Sequence, residues 1–215
     1  LVLVYTLATL GMNVMIGWTG QIGLAVAGFF GLGAYATSIL HERGLPWIIA
    51  LVAVGVFSAV IGFIDGFPAV RLFGFFLAIA SLAFGDLILR IILEADGVTG
   101  GGGGYPVQLL DFWGFDREIA LYYICLLAIV AFMVFVGRVL EGRLGRTMRA
   151  VNSIEIAAPS LGIAPPKYKL IAFMMSGSIA ALAGSIFAQL LTYLSPDMFK
   201  TSLLITMLVM LIVGG

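Results

Sequence analysis

The sequence predicts an all-α integral membrane protein, a polytopic helical bundle, and three observations carry that prediction. Of the 215 residues, 62% are hydrophobic and 10% charged, with a mean hydropathy of +1.16. Soluble domains carry roughly a quarter charged residues. Apolar runs of about 20 residues, enough to cross a bilayer as a helix, recur along the chain. One polar passage, residues 138–169, interrupts them. It carries Arg138, Arg143, Arg146, Arg149, Lys167 and Lys169, six of the eleven basic residues, opposed by Glu141 and Glu155. Lys and Arg resist translocation, so a basic loop between two spans is read as cytoplasmic. The zero net charge is uninformative, because the basic residues are gathered in this loop, and no nucleic-acid partner is expected.

Residues 1–40 contain no charged side chain and are long enough for two spans. The break falls at Gly17 to Gly23, which fits two readings. One is a tight turn between spans. The other is a broken or re-entrant helix whose free backbone groups line a cavity, with Gly20, Gln21 and Gly23 on a translocation path. Gly23, Ala27 and Gly31 form a row of small residues suited to close helix packing. The single histidine, His41, lies with Glu42 and Arg43 at a membrane edge, so no Ser-His-Asp triad and no enzyme activity is expected. Cys125 is the lone cysteine and sits in an apolar run, where it reads as a small hydrophobe.

Residues 45–64 form the next span, closed by Asp65. Residues 72–93 form another, and it carries Asp86 and Arg90, with Glu94 at its end, on one helical face. Asp86 lies about 21 Å along this helix. It reads either as half of an intrahelical pair with Arg90 or as a residue lining a pathway. The loop that follows holds Thr99 and then Gly100 to Gly104. No lysine in the chain follows a glycine, so this is not a phosphate-binding loop. It reads as a linker or as an external contact surface at Thr99, Gly100 and Gly101. Residues 119–137 and 170–191 span again. In the latter, Ala172, Ser176, Ala180, Gly184 and Ala188 recur every four residues as a packing ridge. A last span begins at Thr201. Both chain ends fall inside apolar runs, so the sequence reads as one transmembrane domain, residues 1–215, incomplete at both ends. Alternating crossings place seven Lys and Arg inside and three outside, in line with the positive-inside rule.

Within the basic loop, Arg143 to Val151 has helical patterning. Asn152 or Ser153 can cap a second short helix, with Glu155 near its first N–H groups and Gly162 closing it. Pro165 and Pro166 prevent continuation. Such a helix offers Ala157, Ala158 and Gly162 for close approach by another protein.

The stretch from Arg146 to Ile163, RTMRAVNSIEIAAPSLGI, resembles the cytoplasmic coupling loop of ABC importer permeases. Together with Thr19-Gly-Gln21, Gly31-Leu-Gly-Ala-Tyr35, Leu77 to Asp86, Val98-Thr-Gly-Gly101 and Leu194 to Phe199, it is similar in particular to LivM-type permease subunits of branched-chain amino-acid importers. The resemblance covers nearly the whole chain. It implies a multi-pass subunit in the bacterial inner membrane, with residues 138–169 as the coupling loop. It further implies two ATP-binding subunits, a homologous permease subunit and a periplasmic binding protein that delivers an amino acid. ATP would bind the partners, and this chain would hold no cofactor or metal. Arg146, Arg149, Glu155, Ala157, Ala158 and Gly162 would then contact the ATPase. The competing reading is an ion- or proton-coupled secondary transporter in which Asp86 is the coupling acid.

Overall fold

The computed structural model describes residues 1–69, 72, 74–110, 117–153, 158 and 164–214, with backbone alone at 69, 117, 118 and 140. In chain order the helices are α1 (Val2–Thr19), α2 (Val26–Glu42), α3 (Trp47–Ala69), α4 (Phe75–Glu94), the short α5 (Asp96–Thr99), α6 (Arg117–Glu141), α7 (Arg143–Ser153), α8 (Pro165–Ala188) and α9 (Thr201–Gly214). Among the described residues, six segments are long and apolar enough to cross a membrane: α1, α3, α4, α6, α8 and Pro196–Gly214. The helix α2, with 17 residues, packs among them as a further long apolar helix. The chain is a multi-pass, all-α membrane protein.

The hub is α8. In its apolar window 67% of residues are buried inside the chain, against 17% in α6. The small-residue ridge explains this. Ala172, Ser176, Ala180, Gly184 and Ala188 are all buried, and α1, α2 and α3 each approach α8 through a glycine. A Cβ added at Gly33 would collide with the Ala181 backbone, and one at Gly184 with the Phe30 backbone. At Gly62 it would lie 2.7 Å from the Phe173 carbonyl oxygen, and at Gly11 it would lie 2.9 Å from the Ile179 side chain. Without a hydrophobic driving force between helices, such close backbone approach supplies the packing energy. Thr37 of α2 and Ser185 of α8 add a 2.6 Å hydroxyl–hydroxyl hydrogen bond. The expected row at Gly23, Ala27 and Gly31 is not where α2 meets α4 most closely. Gly28 makes that approach, since its added Cβ would lie 2.6 Å from the Gly85 carbonyl oxygen.

At its C-terminal end, α2 meets the loop after α5, where the Tyr105 hydroxyl donates to the Glu42 carboxylate. The glycine run is an ordered turn and not a linker. Gly100, Gly101 and Gly104 have φ of 71°, 51° and 81°, values that side chains disfavour. The run leads into β1 (Tyr105–Pro106), which pairs antiparallel with β2 (Tyr193–Leu194). A Cβ at Gly104 would lie 2.5 Å from the Leu194 carbonyl oxygen, so the glycine is needed for that pairing. Beneath it the Tyr35 hydroxyl donates to the Leu194 carbonyl at 3.2 Å, and Phe30, Tyr35 and Phe187 pack around the Phe199 ring. Two-residue strands carry too little alternation to be read from sequence.

Two helix boundaries differ from the sequence reading. The helix α3 continues past Asp65 to Ala69, because Gly62 and Gly66 on either side of Asp65 both pack on Phe173 of α8. Asp65 is therefore not a membrane-edge residue but a buried one, 3% exposed. The helix α8 begins at Pro165, with proline in its first turn, where a missing N–H costs nothing. Lys169 thus lies within a helix and is buried, not in a solvated loop.

Candidate functional site

One end of the bundle is closed by α7. Its sequence alternates apolar and basic residues at helical spacing. Gly145, Met148 and Val151 are buried, while Arg143, Arg146 and Arg149 are exposed on the opposite side. Met148 packs with Ala172, Trp18, Val136 and Tyr168, so α7 lies across the ends of α1, α6 and α8. The Arg149 guanidinium stacks 4.6 Å from the Trp18 ring centroid, a cation–π contact that ties α7 to the last turn of α1.

That last turn ends at Gly20, with φ 66° and its N–H bonded to the Ile16 carbonyl, an αL cap. A Cβ at Gly20 would strike the Asn152 side chain of α7. The chain then turns inward through residues 21–25. Gln21 is 4% exposed, and neither polar atom of its side-chain amide has a hydrogen-bond partner. A Cβ added at Gly23 would displace the end of the Met15 side chain and meet the Phe173 ring at 3.5 Å. The Leu24 N–H donates to Ser81 Oγ of α4 at 2.8 Å, one and a half turns above the helix start. Irregular backbone buried inside protein is the form tolerated at membrane depth. The break thus falls at residues 20–25, a connection with Gln21 and Gly23 buried and Gly20 and Ile22 exposed, which joins α1 and α2 while touching α7 at one end and α4 at the other.

On α4 the residues Ile79, Ala83, Asp86 and Arg90 share an exposed stripe. The intrahelical pair expected between Asp86 and Arg90 is not formed, since no ion pair within 4.0 Å involves either residue. Asp86 faces outward from this chain, not into its core, because Gly85 occupies the contact with α2. By contrast, the exposed residues of α3 (Ile48, Val52, Val56, Val60) and α6 (Leu127, Val130, Met133, Val134) are apolar, as lipid-facing surfaces must be. A cleft of about 680 Å³ between α3, α6 and α8 is lined by Leu51, Leu127, Phe132 and Leu182. None of the described residues that line it is charged.

Comparison with known proteins decides the family. The model of the branched-chain amino acid transport system / permease component family matches residues 1–215. The chain belongs to that family. It is 34% identical over 242 residues to the high-affinity branched-chain amino acid transport system permease protein LivM of Escherichia coli K12, covering 100% of this chain and 57% of the relative. The LivM protein of Salmonella typhimurium LT2 is 34% identical over 240 residues, covering 99% of this chain and 56% of the relative. The chain thus spans a little over half the length of these curated relatives. No solved structure matches it.

Within this family member, the residues singled out from sequence fall in separate parts of the bundle. Arg146 and Arg149 share the outward face of α7. Ala158 is buried within this chain. Glu155, Ala157 and Gly162 lie outside the described residues. Gly20, Gln21 and Gly23 form the connection, and Asp86 lies on the α4 stripe. Thr99 fixes the glycine turn, its hydroxyl bonded to the Ile92 carbonyl at 2.6 Å, with Gly100 and Gly101 beside it. Sequence reasoning missed Asn152 as the contact of Gly20, Asp65 as a buried acid, and the exposure of Arg90. Only Arg90 had a usable signal, its spacing of four from Asp86.

Proposed function

We propose that this protein is a permease subunit of an ATP-driven importer in the bacterial inner membrane. It forms part of the path for branched-chain or related amino acids delivered by a periplasmic binding protein. A homologous permease subunit and two ATP-binding subunits complete the assembly, and ATP hydrolysis takes place on the latter. The observation that supports this best is α7, an amphipathic basic helix seated across three membrane helices. It offers Arg143 and Arg146 outward and is tied to α1 through Arg149, Trp18 and the Gly20–Asn152 contact.

In this reading the coupling loop, residues 138–169, transmits a displacement imposed by the ATPases. A shift of α7 moves Asn152 against Gly20. Residues 21–25 carry the shift to α4 through the Leu24–Ser81 hydrogen bond, and α4 bears Asp86. The unpartnered amide of Gln21 fits a connection with a second arrangement, because a buried unsatisfied amide costs about 1–3 kcal/mol. A conformation in which it finds a partner recovers that cost.

The runner-up reading, a proton-coupled carrier using Asp86, draws on the outward, unpaired carboxylate. Purification tests the choice. The full-length protein, extracted in mild detergent, should retain ATP-binding subunits, and Arg146→Glu with Arg149→Glu should release them while membrane levels hold. Recovery of the wild-type protein with no ATP-binding partner removes the importer reading.

A further inference from the structure

We propose that Asp86 and Arg90 of α4 form a recognition site for the charged backbone of a zwitterionic amino acid, Asp86 taking the ammonium group and Arg90 the carboxylate. This rests on the transport reading above and goes beyond it by naming the residues that read the solute and the charges that they read.

The first ground is position. Asp86 lies eleven residues past Phe75, about 16 Å along α4, with Glu94 about 12 Å further on. Asp86 lies about two turns from the end of α4 and Arg90 about one, and both are exposed. A charge held at that depth against hydrocarbon costs several kcal/mol. The stripe must therefore face protein or an aqueous path, unlike the apolar outer faces of α3 and α6.

The second ground is that the charges remain available. Opposite charges at i and i+4 commonly pair on an isolated helix. Among the described residues, no ion pair within 4.0 Å and no side-chain hydrogen bond engages either one. An anion and a cation one helical turn apart, with Cβ atoms about 5–6 Å from each other, match a solute whose own opposite charges are separated by one carbon atom. Arg adds a planar fork that suits a carboxylate.

The third ground is the surroundings. Asp86 borders a narrow crevice lined by Leu82, Leu89, Leu204 and Thr201. These residues set an apolar surface beside Asp86. The α9 surface next to it exposes Thr201 and Ser202, and the charged pair just before them, Asp197 and Lys200, is bonded to itself at 2.7 Å. Gly28 packed on Gly85 holds this part of α4 against α2, so the stripe sits on a rigid element.

The test uses the full-length protein in its purified assembly, without binding protein and without ATP. With Cys125→Ser as background, Ala83→Cys places a thiol one turn before Asp86 on the same stripe. L-Leucine should slow maleimide labelling of this thiol. Leucinamide, which lacks the carboxylate, and 4-methylpentanoate, which lacks the ammonium group, should not. Asp86→Asn or Arg90→Gln should each raise the L-leucine concentration for half protection by about tenfold or more, the loss of one charge-assisted hydrogen bond. The double variant should lose protection altogether. Equal protection by all three compounds, no protection by any, or protection unchanged in both single variants overturns the proposal. So does release of the partner permease from the single variants, which assigns the charges to a subunit interface. ATP-dependent leucine uptake by the same wild-type assembly is measured in parallel. Its loss would remove the transport reading itself, whereas uptake without charge-selective protection removes only the recognition site.

Discussion

Gly20→Ala probes the link between the coupling helix and the membrane helices. Gly20 holds φ 66° and ψ 16°. For an L-residue the left-handed region costs about 1–2 kcal/mol. The added methyl also meets the Asn152 side chain, which must move. For a domain of this size 1 kcal/mol shifts Tm by about 2–4 °C, so strain alone predicts a fall of about 2–8 °C. The clash adds to this and is separable. In Gly20→Ala with Asn152→Gly the methyl has space, so the clash vanishes while the backbone strain stays. The single variant should therefore melt lowest, and the double variant should recover part of the loss. Uptake should follow the contact and not the melting temperature. Asn152→Gly alone, which removes the α7 contact without strain, should slow transport at a near-normal Tm. The assay is a thermal-shift curve and an uptake time course on the same purified preparations. A Gly20→Ala protein that melts within about 1 °C of wild type and transports normally would refute both the assigned conformation and the coupling route.

Other expectations follow from the same packing. Gln21→Met removes two unsatisfied polar atoms from a buried site, so thermal stability should hold or rise while uptake slows, and a loss of stability would show that the amide is satisfied. Gly33→Val should reduce folded protein sharply, since even a Cβ there meets the Ala181 backbone. Gly102→Val, with nothing within 4 Å, should be neutral, and equal yields from the two would contradict the α2–α8 contact. With Cys125 replaced, Asn152→Cys should be shielded from an impermeant maleimide in intact cells and Gly102→Cys should react. The reverse pattern would invert the topology.

Much of this architecture was legible because lipid imposes few solutions. Apolar length placed the long helices, and the four-residue recurrence of Ala172, Ser176, Ala180, Gly184 and Ala188 identified the face of the hub. The helical patterning of Arg143 to Val151 matched α7. Partners across the bundle were not legible. Gly28 and not Gly31 meets α4 most closely because helix rotation, which spacing alone does not set, decides which glycine faces a neighbour. Asp65 read as an edge because a carboxylate ends an apolar run, yet Gly62 and Gly66 carry the helix past it against Phe173. The Asp86–Arg90 spacing suggested a pair, but side chains at i and i+4 meet only when both rotamers converge, and here they do not. The ordered glycine turn depended on a partner strand almost ninety residues away, which no local pattern encodes.

The most direct test of the account is uptake by the full-length protein with its partners in proteoliposomes, using radiolabelled leucine and saturating binding protein. The account predicts accumulation that requires ATP inside the vesicles' ATPase-facing compartment, persists when a protonophore collapses the pH gradient, and falls when α7 carries Arg146→Glu and Arg149→Glu. Accumulation without ATP that is driven by an imposed pH gradient and abolished by Asp86→Asn would contradict it and assign the protein to proton-coupled transport.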